Sequence, residues 1–212
     1  MSRIVILHYD LGNIKSISNA FAKVGADVSI SQDRSAILNA SGLVLPGVGA
    51  FQHGMEKLQK CGLVDIIKER AEAGIPILGI CLGMQLMLSK GTEFCQRDGL
   101  DLISGEVIKF SPADDVSYKL PNIGWNELDF QGCLESPLLQ GVEPTESMYF
   151  VHSFYANPAD TAYVLSYSDF AGIRYCSTIG KDNVFGCQYH PEKSGESGLK
   201  IIRNFKKICE GS

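Results

Sequence analysis

The chain has 212 residues, 45% of them hydrophobic, and a formal net charge of −5 at neutral pH. That acidic balance argues against a nucleic-acid surface, which needs a basic patch, and the longest apolar runs, such as 75–80, are too short to span a bilayer. The opening Met1-Ser2-Arg3-Ile4-Val5-Ile6-Leu7 lacks the longer apolar segment and cleavage site of a secretory signal, so a cytoplasmic location is expected.

Residues 3–8 read as a strand, followed by the loop Asp10-Leu11-Gly12-Asn13. Asn13 is placed to cap a helix over 14–24, with Ile14, Ile17, Ala20, Phe21 and Val24 on one face and Gly25 as the stop. Strands are expected at 28–30 and 43–45, the latter running into Pro46-Gly47-Val48-Gly49-Ala50-Phe51. Helices follow near 55–59 and 63–73. Residues 75–78 then form a short buried strand ahead of Gly79-Ile80-Cys81-Leu82-Gly83-Met84-Gln85, with helical composition over 82–88. Strands alternating with helices imply right-handed crossovers and an α/β fold, a mostly parallel sheet flanked by helices, with ligands at the carboxyl ends of the strands. Beyond Leu88 the texture changes. Short strands are expected at 105–110, 126–130, 147–151, 163–167, 173–179 and 184–187, with Lys181-Asp182-Asn183 as one hairpin turn and a closing helix over 199–209. No repeat or long linker divides the chain, which reads as one domain over 1–212 with an antiparallel, β-rich C-terminal half.

Gly79-x-Cys81-x-Gly83 between strand and helix has the form of a nucleophile elbow, with sulfur in the usual place of serine. The turn would hold the Cys81 side chain clear of the sheet and aim a helix N-terminus at its sulfur, which favours thiolate, the reactive form. The plain alternative is a buried cysteine in a tight connection. A second cluster, Gln188-Tyr189-His190-Pro191-Glu192-Lys193-Ser194, follows a strand. Alone, His-Pro-Glu is a surface turn. Paired with an elbow cysteine, it offers a base, His190, and an orienting carboxylate, Glu192. An oxyanion site would draw one donor from the Leu82 backbone and a second from the Pro46–Gly49 loop. That loop is neither a dinucleotide fingerprint nor a phosphate loop. The seven cysteines (61, 81, 95, 133, 176, 187, 209) contain no Cys-x-x-Cys, which points to reduced thiols; no cluster has metal-ligand spacing, and no cofactor is implied. Cys187 is expected to pack in the core.

These three glycine- and histidine-bearing segments together resemble the class I (triad) glutamine amidotransferases. Asp10-Leu11-Gly12-Asn13, Gly124-Trp125-Asn126 and Tyr149-Phe150-Val151-His152-Ser153 narrow the likeness to the glutaminase subunits of imidazole glycerol phosphate synthases. The likeness spans nearly the whole chain and implies a flavodoxin-like sheet. It implies hydrolysis of L-glutamine by Cys81, His190 and Glu192, with Val48 and Leu82 as backbone oxyanion donors. Gly49, Gln85, Ser153 and Phe154 would hold the glutamine. It further implies a heterodimer with a (β/α)8-barrel cyclase, which uses the ammonia to make imidazole glycerol phosphate in histidine synthesis. Asn13, Asn122, Trp125 and Lys193 are the candidates for that interface.

The chain departs from the family pattern at Asn122, where histidine is usual, and at Tyr189, where phenylalanine is usual. The first leaves room for a related subunit serving a sugar amidotransferase in surface-polysaccharide synthesis. A stand-alone γ-glutamyl hydrolase and a non-catalytic scaffold are further alternatives; the intact triad weighs against the scaffold. His152 reads as a structural histidine at a strand end. Trp125 reads as either an interface anchor or core, and Lys193 as either an interface contact or a solvated side chain.

Overall fold

The computed structural model describes residues 3–93, 96–113, 117–131 and 135–211. In chain order the first half runs β1 (Arg3–Leu7), α1 (Ile14–Lys23), β2 (Asp27–Ser31), α2 (Arg34–Leu38), β3 (Gly42–Leu45), α3 (Phe51–Lys60), α4 (Val64–Glu72), β4 (Ile77–Ile80) and α5 (Leu82–Leu86). The remainder runs β5 (Leu88–Gly91), β6 (Arg97–Asp98), β7 (Ile103–Lys109), β8 (Asn122–Glu127), β9 (Ser147–His152), β10 (Phe154–Pro158), β11 (Val164–Phe170), β12 (Ile173–Lys181), β13 (Val184–Cys187) and α6 (Gly195–Glu210).

The main sheet has the order β2-β1-β3-β4-β13-β12-β10-β7-β5-β6, with β11 on β12; β8 and β9 pair separately. Its first five strands are parallel and follow a flavodoxin-type order. From β13 to β12 the pairing turns antiparallel and stays so through β10 and β7. The sheet is therefore mixed, and its parallel character belongs chiefly to the first half.

Strand alternation divides the core between two faces. Val5, Leu7, Leu43, Leu45 and Ile77 pack with α2 to α5 through residues such as Met55, Ile66 and Met84. Ile4, Ile6, Val44, Leu78 and Ile80 pack with α1 and α6 through Ile17, Phe21, Ile201 and Phe205. Burial on both faces explains why these strands read as unbroken apolar runs. Phe21 and Phe205 meet edge to face at 6.3 Å and tie α1 to α6; truncating such a core aromatic costs about 3–5 kcal/mol.

Several expected boundaries move. β4 begins two residues later than the apolar run, and α5 is one short helix because Leu88 leaves it to pair with Ile103 of β7. The strand expected at 126–130 is β8, drawn earlier by pairing Asn122 with His152 and Glu127 with Ser147. Helix α2, capped by Asp33 through Ala36 N–H, and strands β5, β6 and β10 were not expected. Asn13 occupies the N-cap of α1, but its side chain makes no capping bond. Cys187 is fully buried, as its alternation with Tyr189 suggested; Cys95 and Cys133 lie outside the described residues. Among the described residues no helix is long and apolar enough to cross a membrane.

Candidate active site

The register β3–β4–β13 brings three chain exits to one edge of the sheet. Leu45 lies beside Gly79, and Ile80 beside Cys187. The Pro46–Gly49 loop, Cys81 and the Gln188–His190 segment therefore leave the sheet side by side. Their short strands and the tight turns that follow are what aim the side chains here.

Cys81 carries φ 55° and ψ −111°, a left-handed conformation that non-glycine residues avoid. Such strain persists only where its surroundings enforce it, and it gathers at functional sites. The enforcing contact is the close seating of α5 on the sheet: a Cβ at Gly83 would stand 1.8 Å from the Leu45 carbonyl oxygen. Cys81 N–H donates to Cys187 O at 2.7 Å, which locks the elbow to β13.

His190 Nδ1 and Glu192 Oε1 are 2.9 Å apart, and the Glu192 side chain is fully buried. A 3₁₀ turn over Pro191–Lys193 folds the carboxylate back onto the ring. Ser194 Oγ donates to His190 O at 2.7 Å and accepts from Tyr149 N–H at 2.9 Å, so the turn is pinned to β9. Burial pulls the His190 imidazolium down, but Cys81 and Glu192 together push it up to about 10. Among the described residues Nε2 has no well-formed hydrogen-bond partner and is left to the Cys81 side; contacts of this kind tighten once substrate binds.

Cys81, His190, Leu82, Val48, Gly49, Gln85, Ser153 and Phe154 line one cleft of ≈ 470 Å³. All were singled out in the sequence, and the fold brings them together. Glu192 stands behind His190. Gly49 has φ +99° with no described residue within 4 Å of where its Cβ would stand, and Val48 is exposed. Tyr9 Oη donates to the Pro46 carbonyl beneath this loop. The buried Gln85 amide donates from Nε2 to Phe154 O and to Gln188 Oε1, both at 2.9 Å. Gln188 Nε2 in turn reaches within 3.8 Å of Cys81 Sγ.

Pro121, Val151 and His152 also line the cleft, and Gln188 and Glu93 are polar residues of the region that were missed. Gln188 belongs to the quoted histidine segment, and its spacing of two from His190 at a strand end was the available signal. Glu93 lines the cleft and accepts Phe51 N–H at 2.8 Å. It sits in a loop after β5, a strand the sequence reading did not contain, so nothing local marked it.

The interface candidates divide. Trp125 is 58% exposed, which rules out a core role, and stacks edge to face on Tyr149. Lys193 is exposed, with Nζ 5.8 Å above the same Tyr149 ring, and Ile123 is 62% exposed beside them. Asn13 is exposed. Asn122 is 4% exposed and turns its amide inward, 3.3 Å from His152 Nε2. Tyr189 is buried, and its hydroxyl accepts from Thr178 Oγ1, so the extra oxygen relative to phenylalanine is satisfied.

A strained elbow cysteine facing a buried, carboxylate-bound histidine on a flavodoxin-type sheet defines a thiol-dependent amidohydrolase of the triad kind. The family model for class-I glutamine amidotransferases matches residues 5–208, and the chain belongs to that family. It is 43% identical to the imidazole glycerol phosphate synthase subunit HisH of Lactococcus lactis subsp. lactis, covering 97% of this chain and 98% of that one. It is 44% identical to the HisH subunit of a Geobacillus species, covering 97% of each. Among solved structures, a glutamine amidotransferase superposes with a TM-score of 0.73 at 14% identity, over 97% of this chain and 98% of that one. PurLQS from Thermotoga maritima gives 0.70 at 20% identity, over 96% and 97%.

Proposed function

We infer that this chain is the glutaminase subunit of an imidazole glycerol phosphate synthase. It hydrolyses L-glutamine to glutamate and ammonia and passes the ammonia to a second subunit for histidine synthesis. The observation that carries this reading is the convergence of Cys81, His190, Gln85 and the Val48–Gly49 backbone on one cleft. Near-full-length similarity to HisH subunits supports the histidine route over a surface-polysaccharide role or a stand-alone hydrolase.

Cys81 Sγ attacks the side-chain amide carbon of glutamine. The oxyanion that forms is met by the backbone N–H groups of Val48 and Leu82. His190 gives a proton to the departing nitrogen, so ammonia leaves and a γ-glutamyl thioester remains. His190 then takes a proton from water as the water attacks the thioester. Glutamate leaves and the thiolate is restored. Glu192 keeps His190 in orientation and stabilises its charged form. Both amide protons of Gln85 are committed, which leaves Oε1 to accept from the substrate. The Glu93 carboxylate is suited to its α-ammonium.

The partner is a (β/α)8-barrel cyclase, which receives the ammonia internally because ammonia in neutral water is mostly protonated and unreactive. Trp125, Tyr149, Lys193 and Ile123 form an apolar, singly charged patch near His190, the composition expected of a docking anchor. The experiment is Cys81→Ala in the reconstituted complex. Glutamine-dependent activity should vanish while synthesis from added ammonium persists. Retained glutamine hydrolysis would overturn the nucleophile.

A further inference from the structure

We propose that His152, held by Asn122, is a positioning residue for glutamine binding: it braces the Phe154 carbonyl and, through it, the Gln85 amide. The inference rests on glutamine being the substrate of this cleft. His152 closes β9, and its Nδ1 lies 2.8 Å from Phe154 O. A carbonyl only accepts, so Nδ1 carries the hydrogen. Rings of Phe110, Phe150 and Tyr175 pack around the imidazole at 5.1–5.6 Å. Burial keeps it neutral, with its pKa drawn down to about 4, and nearby His190 acts in the same direction. Among the described residues, the other titratable group packed against it is Tyr175 on β12, whose hydroxyl shares the Asn122 amide.

A neutral ring with hydrogen on Nδ1 has a bare lone pair on Nε2, which needs a donor. Asn122 Nδ2 supplies it, and the same amide lies 3.4 Å from the Tyr175 hydroxyl. The β8–β9 ladder delivers this contact, because Asn122 and His152 are register partners. Phe154 O is then engaged from two sides, by His152 and by Gln85. Gln85 passes its other proton to Gln188, which approaches Cys81 Sγ. A continuous buried chain of polar groups thus joins β8 to the nucleophile. Residues 123 and 125 of that same strand are exposed on its outer face.

The test combines ¹⁵N-resolved NMR of the imidazoles in the full chain with glutamine kinetics of the partner complex. His152 signals are assigned by their loss in His152→Asn. In the parent, His152 should be neutral with hydrogen on Nδ1 down to about pH 5. Asn122→Asp replaces the donor by an acceptor of equal size, so His152 should become an imidazolium at pH 7. His152→Phe should raise KM for glutamine about tenfold, the scale of one lost hydrogen bond, with kcat within about threefold. His152→Asn places an amide N–H near the former Nδ1 and should restore KM to within about threefold of the parent. Hydrogen on Nε2 in the parent, titration near 6.5, or an unchanged KM in His152→Phe would each overturn the proposal. Should the parent complex fail to turn over glutamine, the functional reading falls, and the imidazole spectra still decide the bracing geometry.

Discussion

Glu192 Oε1 stands 2.9 Å from His190 Nδ1, although only a proline separates the two residues in sequence. Proline fixes φ and so favours the single turn that folds the carboxylate back onto the ring. Because both side chains are buried, the carboxylate has a cationic partner only when His190 is protonated.

His190→Ala should therefore abolish glutamine turnover almost as fully as loss of Cys81, and Glu192→Gln should cost less. The double variant should be little worse than His190→Ala, since triad members act as a unit; additive losses would assign Glu192 a separate role. Protonation gives a second check. The folded pKa of about 10 lies above the unfolded value, so His190 contributes stability below about pH 6.5 that is lost as pH rises through 10. Glu192→Gln should shrink that alkaline loss, read by denaturant unfolding at pH 7 and 10.

His152 titrates with the opposite sign. Its folded pKa of about 4 lies below the unfolded value of about 6.5, so the unfolded chain takes up the proton first on acidification. Stability should fall between pH 6.5 and 4 by about 3 kcal/mol from this ring alone. His152→Asn keeps an N–H donor but cannot ionise. Its unfolding free energy should drop less between pH 7 and 4.5 than that of the parent. Equal drops would show that the ring is not held neutral.

Trp125 should dominate partner affinity. Its ring is exposed in the free chain yet already oriented by Tyr149, so docking needs little further ordering. Trp125→Ala should weaken binding of the cyclase by about 2 kcal/mol, about thirtyfold, and leave the melting temperature of the free chain nearly unchanged. Lys193→Ala should cost less, because an exposed charge loses little when removed. Titration calorimetry on both variants checks the ranking, and an affinity unchanged by Trp125→Ala would move the interface elsewhere.

Much of the site was legible because its signals are local. An elbow needs glycine at fixed offsets from the nucleophile, and a histidine needs its carboxylate within a turn. The parallel strands were legible because burial on both faces leaves an apolar run with little ambiguity. The second half was harder to read. β8 is fixed by its ladder with β9, and Leu88 to Gly91 become a strand only because β7 lies beside them. The same nonlocality hid Glu93, and it made Asn122 look like a surface residue when the ladder turns it inward.

The Pro46–Gly49 loop should make turnover depend on the partner. Gly49 sits at φ +99° with no described residue within 4 Å of a would-be Cβ, and Val48 beside it is exposed. Glycines on both sides of Val48 let the peptide plane between Gly47 and Val48 rotate at modest steric cost; Gly47 sits where a Cβ would stand 2.9 Å from Gly83 N, Leu82 Cβ and Tyr9 Oη, so only a residue without a side chain keeps that freedom. One orientation presents the Val48 N–H to the developing oxyanion; the other presents a carbonyl and repels it. Below the loop, Tyr9 holds the Pro46 carbonyl, so rotation is confined to the residues beyond it. Loss of one oxyanion donor costs about 2.7–4 kcal/mol, on the order of 10²–10³ in rate. A partner that binds the competent orientation more tightly can restore that range, and only to the extent of its differential affinity. Glutamine turnover is measured for the chain alone, with the cyclase, and with cyclase plus its acceptor or an analogue. The rates should climb in that order, mainly in kcat. Gly49→Ala, which penalises the left-handed backbone, should lower the activated rate more than the isolated one. Equal turnover in all three conditions would defeat the switch and return the chain to the standing of an independent hydrolase.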